Sequence, residues 1–208
     1  MKLRLLVYDA TCEGEGLLPG LSTVWRAGSY LYRGLDRIDA AFGARTWAEA
    51  LDFLAHHGEG RPLAEVQYWG HGNFGKLLLG RDALDARGLS EGPHVGAVDA
   101  VVARMEKGED GLLWLRTCEA FGGRSGHGFA RALASRFGCR VAGHTHVIGV
   151  LQSGLETLLP GEEPGWPEEQ GVTPAGEGAT GRPSLPGEPH TVSFLTGSLP
   201  DSIRGSRR

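Results

Sequence analysis

Short, nearly continuous apolar runs alternate along this chain with longer segments in which apolar residues recur every three or four positions. The runs resemble strands buried on both faces of a mostly parallel sheet, and they lie at 3–8, 64–69, 112–117 and 140–142. The periodic segments predict helices at 21–37, 47–57, 94–107 and 127–137. Strands that alternate with helices predict right-handed crossovers and helices on both faces, hence a three-layer α/β/α sandwich with a mostly parallel sheet.

The helix at 47–57 carries the clearest local signals. Thr46 is a candidate N-cap with Glu49 three residues later, and Gly58 can end the helix. The helix at 21–37 is less well marked, because Gly28 lowers its helix propensity. Its apolar residues recur at roughly helical spacing and are Val24, Leu31, Leu35 and Ile38.

The C-terminal third has a different composition. Residues 160–189 are rich in Pro, Gly and Glu, which predicts a long irregular loop. A last strand is predicted at 191–195, and 201–208 are predicted to be a disordered tail. We therefore expect a single domain at 1–200.

Composition and charge narrow the classes of partner. The net charge is -4 and no long basic run occurs, so nucleic acid is not expected to bind. No apolar stretch approaches the roughly 20 residues that span a bilayer, and the N-terminal run is too short for a signal peptide, so we expect a cytoplasmic protein with no membrane contact. The three cysteines, Cys12, Cys118 and Cys139, are odd in number, so at least one thiol is free.

Two of the predicted strands end in residues suited to nucleophilic catalysis. His71 follows the strand at 64–69, and Cys118 follows the strand at 112–117. The C-terminal ends of parallel strands share one sheet edge, and neighbouring strands about 4.8 Å apart would bring imidazole and thiol together. A nearby imidazolium would lower the pKa of the thiol. The N–H of Gly72, with that of Cys118, could then hold an oxyanion.

The segments 65–72 (Glu-Val-Gln-Tyr-Trp-Gly-His-Gly) and 117–123 (Thr-Cys-Glu-Ala-Phe-Gly-Gly) resemble the caspase-like (clan CD) cysteine peptidases. The resemblance extends over about residues 1–150 and includes the ribbon at 76–80, in a layout similar to bacterial caspase-like and CHAT-type domains. It implies a caspase-like sheet and a cysteine endopeptidase acting on a protein or peptide without a cofactor. His71 would be general base or acid, Cys118 the nucleophile and Gly72 an oxyanion donor. The Gln-Ala-Cys-Arg/Gln-Gly pattern of caspases is absent.

Arg116 is the most informative neighbour of the dyad. Alternate residues of a strand share a face, so Arg116 is expected beside Cys118. The resemblance implies that this position lines the pocket for the substrate side chain N-terminal to the scissile bond, where a guanidinium would suit an acidic residue. Asp9, at the end of the first strand, could reach the same pocket and neutralise Arg116.

Other polar residues leave alternatives open. Glu119 either orients His71 or is a solvated loop acid, and His144 either caps a strand end near the dyad or lines the cleft. A metal-dependent hydrolase could use His144 and His146, since Zn²⁺ binds imidazole, although no metal-binding motif accompanies them. The chief alternative to the peptidase, ahead of the metal-dependent hydrolase, is a non-catalytic caspase-like module that binds a protein through 160–189. Oligomeric state is not indicated by the sequence.

Overall fold

The computed structural model describes residues 2–14, 19–175 and 178–203. The helices in these ranges are α1 (Leu21–Gly34), α2 (Trp47–His56), α3 (Val95–Arg104) and α4 (Gly123–Phe137). The strands in the first two thirds are β1 (Leu3–Asp9), β2 (Ala40–Ala44), β3 (Leu63–Trp69), β4 (His71–Asn73), β5 (Lys76–Leu79), β6 (Asp82–Asp85), β7 (Gly108–Arg116) and β8 (Cys139–His144). The remaining strands are β9 (Leu151–Gln152), β10 (Leu155–Leu158), β11 (Val172–Ala175), β12 (Gly178–Gly181) and β13 (Val192–Ser193).

A six-stranded sheet in the order β10-β8-β7-β3-β1-β2 forms the centre of the molecule. Its strands pair in parallel from β2 to β8, and only β10, at one edge, is antiparallel. The predicted mixed α/β class with a mostly parallel sheet is confirmed. Strands β4, β5 and β6 form a separate antiparallel ribbon that begins at the end of β3.

Alternate residues of β1 enter different apolar clusters, which shows that both faces of the sheet are covered. Leu5 and Val7 pack into the large cluster that also holds the buried residues of α2, α3 and α4. Leu6 points the other way, into a cluster with Tyr32 of α1 and Trp69 of β3. This arrangement is compatible with a three-layer α/β/α sandwich.

The start of α2 follows the local sequence rules. The Thr46 hydroxyl accepts a hydrogen bond from the Glu49 N–H at 3.2 Å, and the Glu49 carboxylate accepts one from the Arg45 N–H at 2.7 Å. The first bond satisfies an N–H group that the first turn of a helix leaves free, and the second fixes the backbone just before the cap. The predicted cap is confirmed, and the helix ends one residue earlier than expected.

Helix α1 differs more from its prediction. It ends at Gly34 rather than at 37, and the chain then forms β2, which the sequence did not predict because its Ala- and Gly-rich run has little β-propensity. Gly28 is what brings α1 onto the sheet, since a Cβ there would lie 2.7 Å from the Phe194 ring and 3.0 Å from that of Trp69. Three of the regularly spaced apolar residues that predicted this helix have exposed side chains rather than buried ones: Val24, Leu31 and Leu35.

The C-terminal third has more structure than its composition indicates. The segment at 160–189, predicted as an irregular loop, contains the β11–β12 hairpin. It is anchored by Trp166, whose indole is stacked on Phe121 at 5.7 Å and donates to the Phe121 carbonyl at 3.1 Å. The last strand covers only Val192–Ser193. Of the predicted tail, Ile203 is buried in a cluster with Trp114, and 204–208 lie outside the described residues.

In the ranges that the structure describes, no helix is both long and apolar enough to cross a bilayer.

Candidate active site

The register of β3 and β7 places His71 and Cys118 at equivalent positions. Trp69 pairs with Arg116, and His71 and Cys118 each follow two residues later. Both side chains line one cleft of about 410 Å³ at the C-terminal ends of these strands, where parallel sheets commonly place their binding sites. The two residues predicted to act together therefore face the same space.

The Cys118 thiol is partly buried and held by the loop after β8. Its Sγ accepts a hydrogen bond from the Ile148 N–H at 3.4 Å and lies 3.8 Å from the Ile148 carbonyl, to which the S–H can donate. Burial raises the pKa of Cys118, the neighbouring Glu119 charge raises it further, and the Ile148 N–H only partly offsets these effects. This direction is opposite to the lowered pKa expected from the sequence, and it favours the protonated thiol over the thiolate.

His71 is exposed and is held by an aromatic contact. Its imidazole meets the Trp25 indole edge to face, with ring centroids 5.7 Å apart and planes at 75°. Among the described residues, the His71 ring makes no hydrogen bond to Cys118 or to a carboxylate. Such open geometry is common in enzymes without substrate.

Gly72 lies against the end of β7 so closely that a side chain would not fit. A Cβ at this position would lie 2.6 Å from the Cys118 carbonyl oxygen and 2.7 Å from Thr117 Oγ1. Asn73 and Lys76 close the two-residue turn of the ribbon, so Gly72 and Leu77 form the pair that exchanges no hydrogen bonds.

Cys118 lines the cleft, whereas Gly72 is not among the described residues that do so. Within the described part of the chain, no turn, loop or side-chain hydrogen bond uses the N–H of Gly72 or that of Cys118. A tetrahedral oxyanion requires two such donors beside the thiol.

Arg116 also lines the cleft, but its guanidinium is fully engaged. Its Nε and Nη2 donate to Gln152 Oε1 at 3.0 and 2.7 Å. Its remaining hydrogens are donated to the Tyr32 hydroxyl and to the carbonyls of Ser193, Phe194 and Thr196. With only 3% of its surface exposed, Arg116 has no N–H left for a substrate carboxylate.

Aromatic rings surround the same guanidinium. The rings of Tyr32, Trp69, Trp114 and Phe194 lie within 4.6 to 5.8 Å of its central carbon. Such cation–π contacts stabilise a charge that has been removed from water, although burial still lowers the pKa of Arg116.

Asp9 and Glu119 lie near the site without performing the roles considered for them. The Asp9 carboxylate accepts hydrogen bonds from the N–H and hydroxyl of Thr11 at 2.7 and 2.6 Å, and it neither lines the cleft nor bonds Arg116. Glu119 packs against Gly181, where a Cβ would lie 1.6 Å from Oε1. Burial raises the pKa of Glu119, and an N–H from Gly181 partly offsets that rise. The structure brings neither carboxylate to His71.

His144 and His146 are buried away from the cleft. His144 Nδ1 lies 3.1 Å from the Ser153 carbonyl, its Nε2 has no partner among the described residues, and burial lowers its pKa to about 3. Both nitrogens of His146 are occupied, by Thr145 Oγ1 at 2.9 Å and by Glu188 at 3.2 Å. In the described ranges, no group of three or more His, Cys, Asp or Glu side chains could hold a metal ion.

Several residues that shape the cleft carried no signal in the sequence analysis. Trp25 comes from α1, Ile148 and Gln152 from the loop and strand after β8, and Phe194 and Leu195 from the segment after β13. They come from segments distant in sequence, so only the tertiary fold shows that they meet. The apolar spacing of α1 is the sequence feature related to them, because the first turns of this helix supply part of the cleft wall.

The chain matches no protein-family model, and a search of the curated proteins also finds no match. The function is therefore inferred from the fold and from the residues of the cleft.

Proposed function

We propose that this chain is a caspase-like cysteine endopeptidase in which Cys118 attacks a peptide carbonyl and His71 transfers the protons. The observation that carries the proposal is the shared cleft, lined by an imidazole and a thiol from adjacent parallel strands in equivalent register. A structural cysteine at a strand end would not require a histidine opposite it. Gly72 packs against the Cys118 carbonyl, and in the proposal the N–H groups of Gly72 and Cys118 supply the oxyanion donors of acyl transfer.

The arrangement of the strands supports the caspase-like form of the proposal. The resemblance rests on a strand ending in His-Gly, a short ribbon, and a later strand ending in Cys. Here β3 leads into His71 and the β4–β5 ribbon, and β7, the neighbour of β3 in the sheet, leads into Cys118. Motifs 47 residues apart in the chain thus belong to adjacent strands.

In the proposed reaction, His71 takes the Sγ proton as Cys118 forms a bond to the carbonyl carbon of the substrate. The carbonyl oxygen becomes an oxyanion that accepts hydrogen bonds from the N–H groups of Gly72 and Cys118. The C–N bond then breaks, and the His71 imidazolium gives its proton to the departing amine. Water, deprotonated by His71, attacks the thioester, and cleavage of the C–S bond releases the acid and returns the proton to Cys118.

The raised pKa of Cys118 determines how this dyad would work. A preformed thiolate–imidazolium pair needs a lowered thiol pKa, whereas burial and Glu119 raise it here. Proton transfer to His71 would therefore accompany the attack. Substrate binding would also have to shorten the separation of the dyad, because neither ring nitrogen hydrogen-bonds the thiol in the described residues.

A second candidate is a caspase-like module that binds a protein or peptide without cleaving it. It is favoured by the protonated thiol and by four large apolar side chains that line the cleft while remaining about half exposed or more. These are Leu21, Val24, Val150 and Leu195. Both candidates use the same surface, so catalysis is the property that separates them.

The test is cleavage of a complex peptide mixture, with new N-termini identified by mass spectrometry. Wild type should produce new termini that are absent with Cys118→Ala and with His71→Ala. Cys12→Ala is the matched control, because Cys12 is also a partly buried free thiol but lies outside the cleft, and it should cleave as wild type does. Equal product patterns from wild type and Cys118→Ala would rule out the proposed peptidase.

A further inference from the structure

We infer that the cleft beside Cys118 selects a large apolar side chain at the residue whose carbonyl is attacked. This inference rests on the proposed peptidase function and names its substrate class. The Cys118 thiol opens directly onto the cleft, so the side chain next to the reacting carbonyl is the one that the cleft can reach.

The walls of the cleft are mainly hydrocarbon. Its volume of about 410 Å³ is in the range of small-ligand pockets, which are predominantly apolar with a few polar groups. Of the fifteen described residues that line it, eight have large apolar or aromatic side chains: Leu21, Val24, Trp25, Trp69, Ile148, Val150, Phe194 and Leu195. A buried apolar side chain would gain contact along most of this surface.

Among the described residues that line the cleft, neither sign of charge finds a partner. None of them is Asp or Glu, so a basic substrate side chain would lose its hydration without an ion pair there. Arg116 is the one Lys or Arg among the described lining residues, and its five N–H groups already serve Gln152, Tyr32 and three carbonyls of the C-terminal segment. An acidic side chain would have to displace those bonds.

Arg116 therefore builds the cleft wall. Its hydrogen bonds to Ser193 and Phe194 hold the segment that places Phe194 and Leu195 on the cleft. The sequence suggested an acidic preference because a guanidinium at this position would suit a carboxylate, and an apolar preference replaces it because the arginine is used inside the fold.

Four exposed residues of the cleft lining are also apolar. Leu21, Val24, Val150 and Leu195 are 46%, 50%, 79% and 54% exposed. Single exposed apolar residues are ordinary, but a group that lines one cleft marks a binding surface. The continuity of this group with His71 and Cys118 identifies the occupant as the substrate.

The experiment uses short peptides that carry an aminomethylcoumarin leaving group and differ only at the residue before it. For the full chain, kcat/KM should be at least about tenfold higher with Leu or Phe at that residue than with Asp or Lys. Leu195→Gln should lower kcat/KM for the Leu peptide about fivefold. Leu185→Gln, at 53% exposure but outside the cleft, should leave it unchanged.

Failure of the inference and failure of the proposed function give different results. Cleavage of the Asp or Lys peptide as fast as the Leu peptide would overturn the apolar preference and leave the peptidase standing. For the other case, fluorescein-labelled Leu and Asp peptides are titrated against Cys118→Ala and followed by anisotropy. Tighter binding of the Leu peptide, weakened by Leu195→Gln, without turnover by wild type would retain the apolar cleft and refute catalysis. Absence of both binding and turnover would overturn both.

Discussion

The engagement of Arg116 predicts an energetic coupling to Gln152. The amide oxygen of Gln152 is the acceptor for two guanidinium hydrogens, at 2.7 and 3.0 Å. Gln152→Leu keeps the approximate size of the side chain and removes this acceptor. Nη2 retains the carbonyls of Ser193 and Phe194, but Nε retains no partner within the described residues.

The magnitude follows from the groups left without partners. A hydrogen bond to a charged group contributes about 1.5–3 kcal/mol net, so Gln152→Leu should lower the free energy of unfolding by about 2–4 kcal/mol. Arg116→Met removes the charge together with its desolvation and leaves mainly the Gln152 oxygen unpaired, at a cost of about 1–3 kcal/mol. Its other acceptors keep partners, since the Tyr32 hydroxyl still donates to Phe194 and Thr196.

The double variant Arg116→Met/Gln152→Leu removes both the guanidinium and the amide oxygen, so neither is left buried without a hydrogen-bond partner. Its loss of stability should therefore be smaller than the sum of the single losses, by at least about 1.5 kcal/mol. Urea unfolding followed by tryptophan fluorescence measures all three variants. Arg87→Met is the control, because Arg87 is exposed, pairs with Glu91 and shares no partner with Arg116 or Gln152, and it should add to Gln152→Leu within about 0.5 kcal/mol. Additivity of the Arg116 pair would refute the assignment of this arginine to the fold.

Three further predictions concern the reacting groups and the buried histidine. Gly72→Ala should lower kcat/KM by at least about 100-fold, because the added Cβ would displace the Cys118 carbonyl. Gly34→Ala is the control, since no atom lies within 4 Å of its added Cβ, and it should keep the activity of the wild type. Equal activities of the two variants would contradict this prediction. The rate of alkylation of Cys118 by iodoacetamide should rise steadily between about pH 6 and about pH 8, because burial raises the pKa of the thiol. Glu119→Gln should increase this rate about two- to fivefold, because the Glu119 charge also raises that pKa. A rate independent of pH would indicate a preformed thiolate instead. The pKa of His144 is lowered to about 3, so its contribution to stability is complete above its unfolded pKa and is lost as the pH falls below that value. We expect a loss of roughly 2 kcal/mol between about pH 7.5 and about pH 5 that His144→Gln abolishes, measured by urea unfolding at each pH.

Much of the fold could be predicted from the sequence because its strongest signals are local. The strand before His71 and the strand before Cys118 are apolar runs with distinct polar ends, and both form, although the second begins at Gly108, four residues earlier than predicted. Thr46 caps α2 because a hydroxyl three residues before a free N–H acts in any tertiary context. Strand β2 was missed because its Ala-rich run acquires strand geometry only by pairing with β1.

The electrostatics of the site could not be predicted in the same way. Arg116 was correctly expected on the side of Cys118, and both line the cleft. Its partners, however, come from Tyr32, Gln152 and the segment at 193–196, up to 84 residues distant in sequence. Likewise, the pKa of Cys118 is raised by burial and lowered by the hydrogen bond from the Ile148 N–H, and no local pattern indicates either effect.

The most direct test of the dyad is the site of reaction with a peptidyl acyloxymethyl ketone that carries Leu next to the reactive carbonyl. Such a ketone modifies a thiol quickly only where the peptide is bound and the thiol is activated. Intact mass and peptide mapping should show one adduct, on Cys118, and a rate at least about 100-fold lower for His71→Ala at an unchanged unfolding midpoint. Adducts spread over Cys12, Cys118 and Cys139, or an undiminished rate in His71→Ala, would contradict the account.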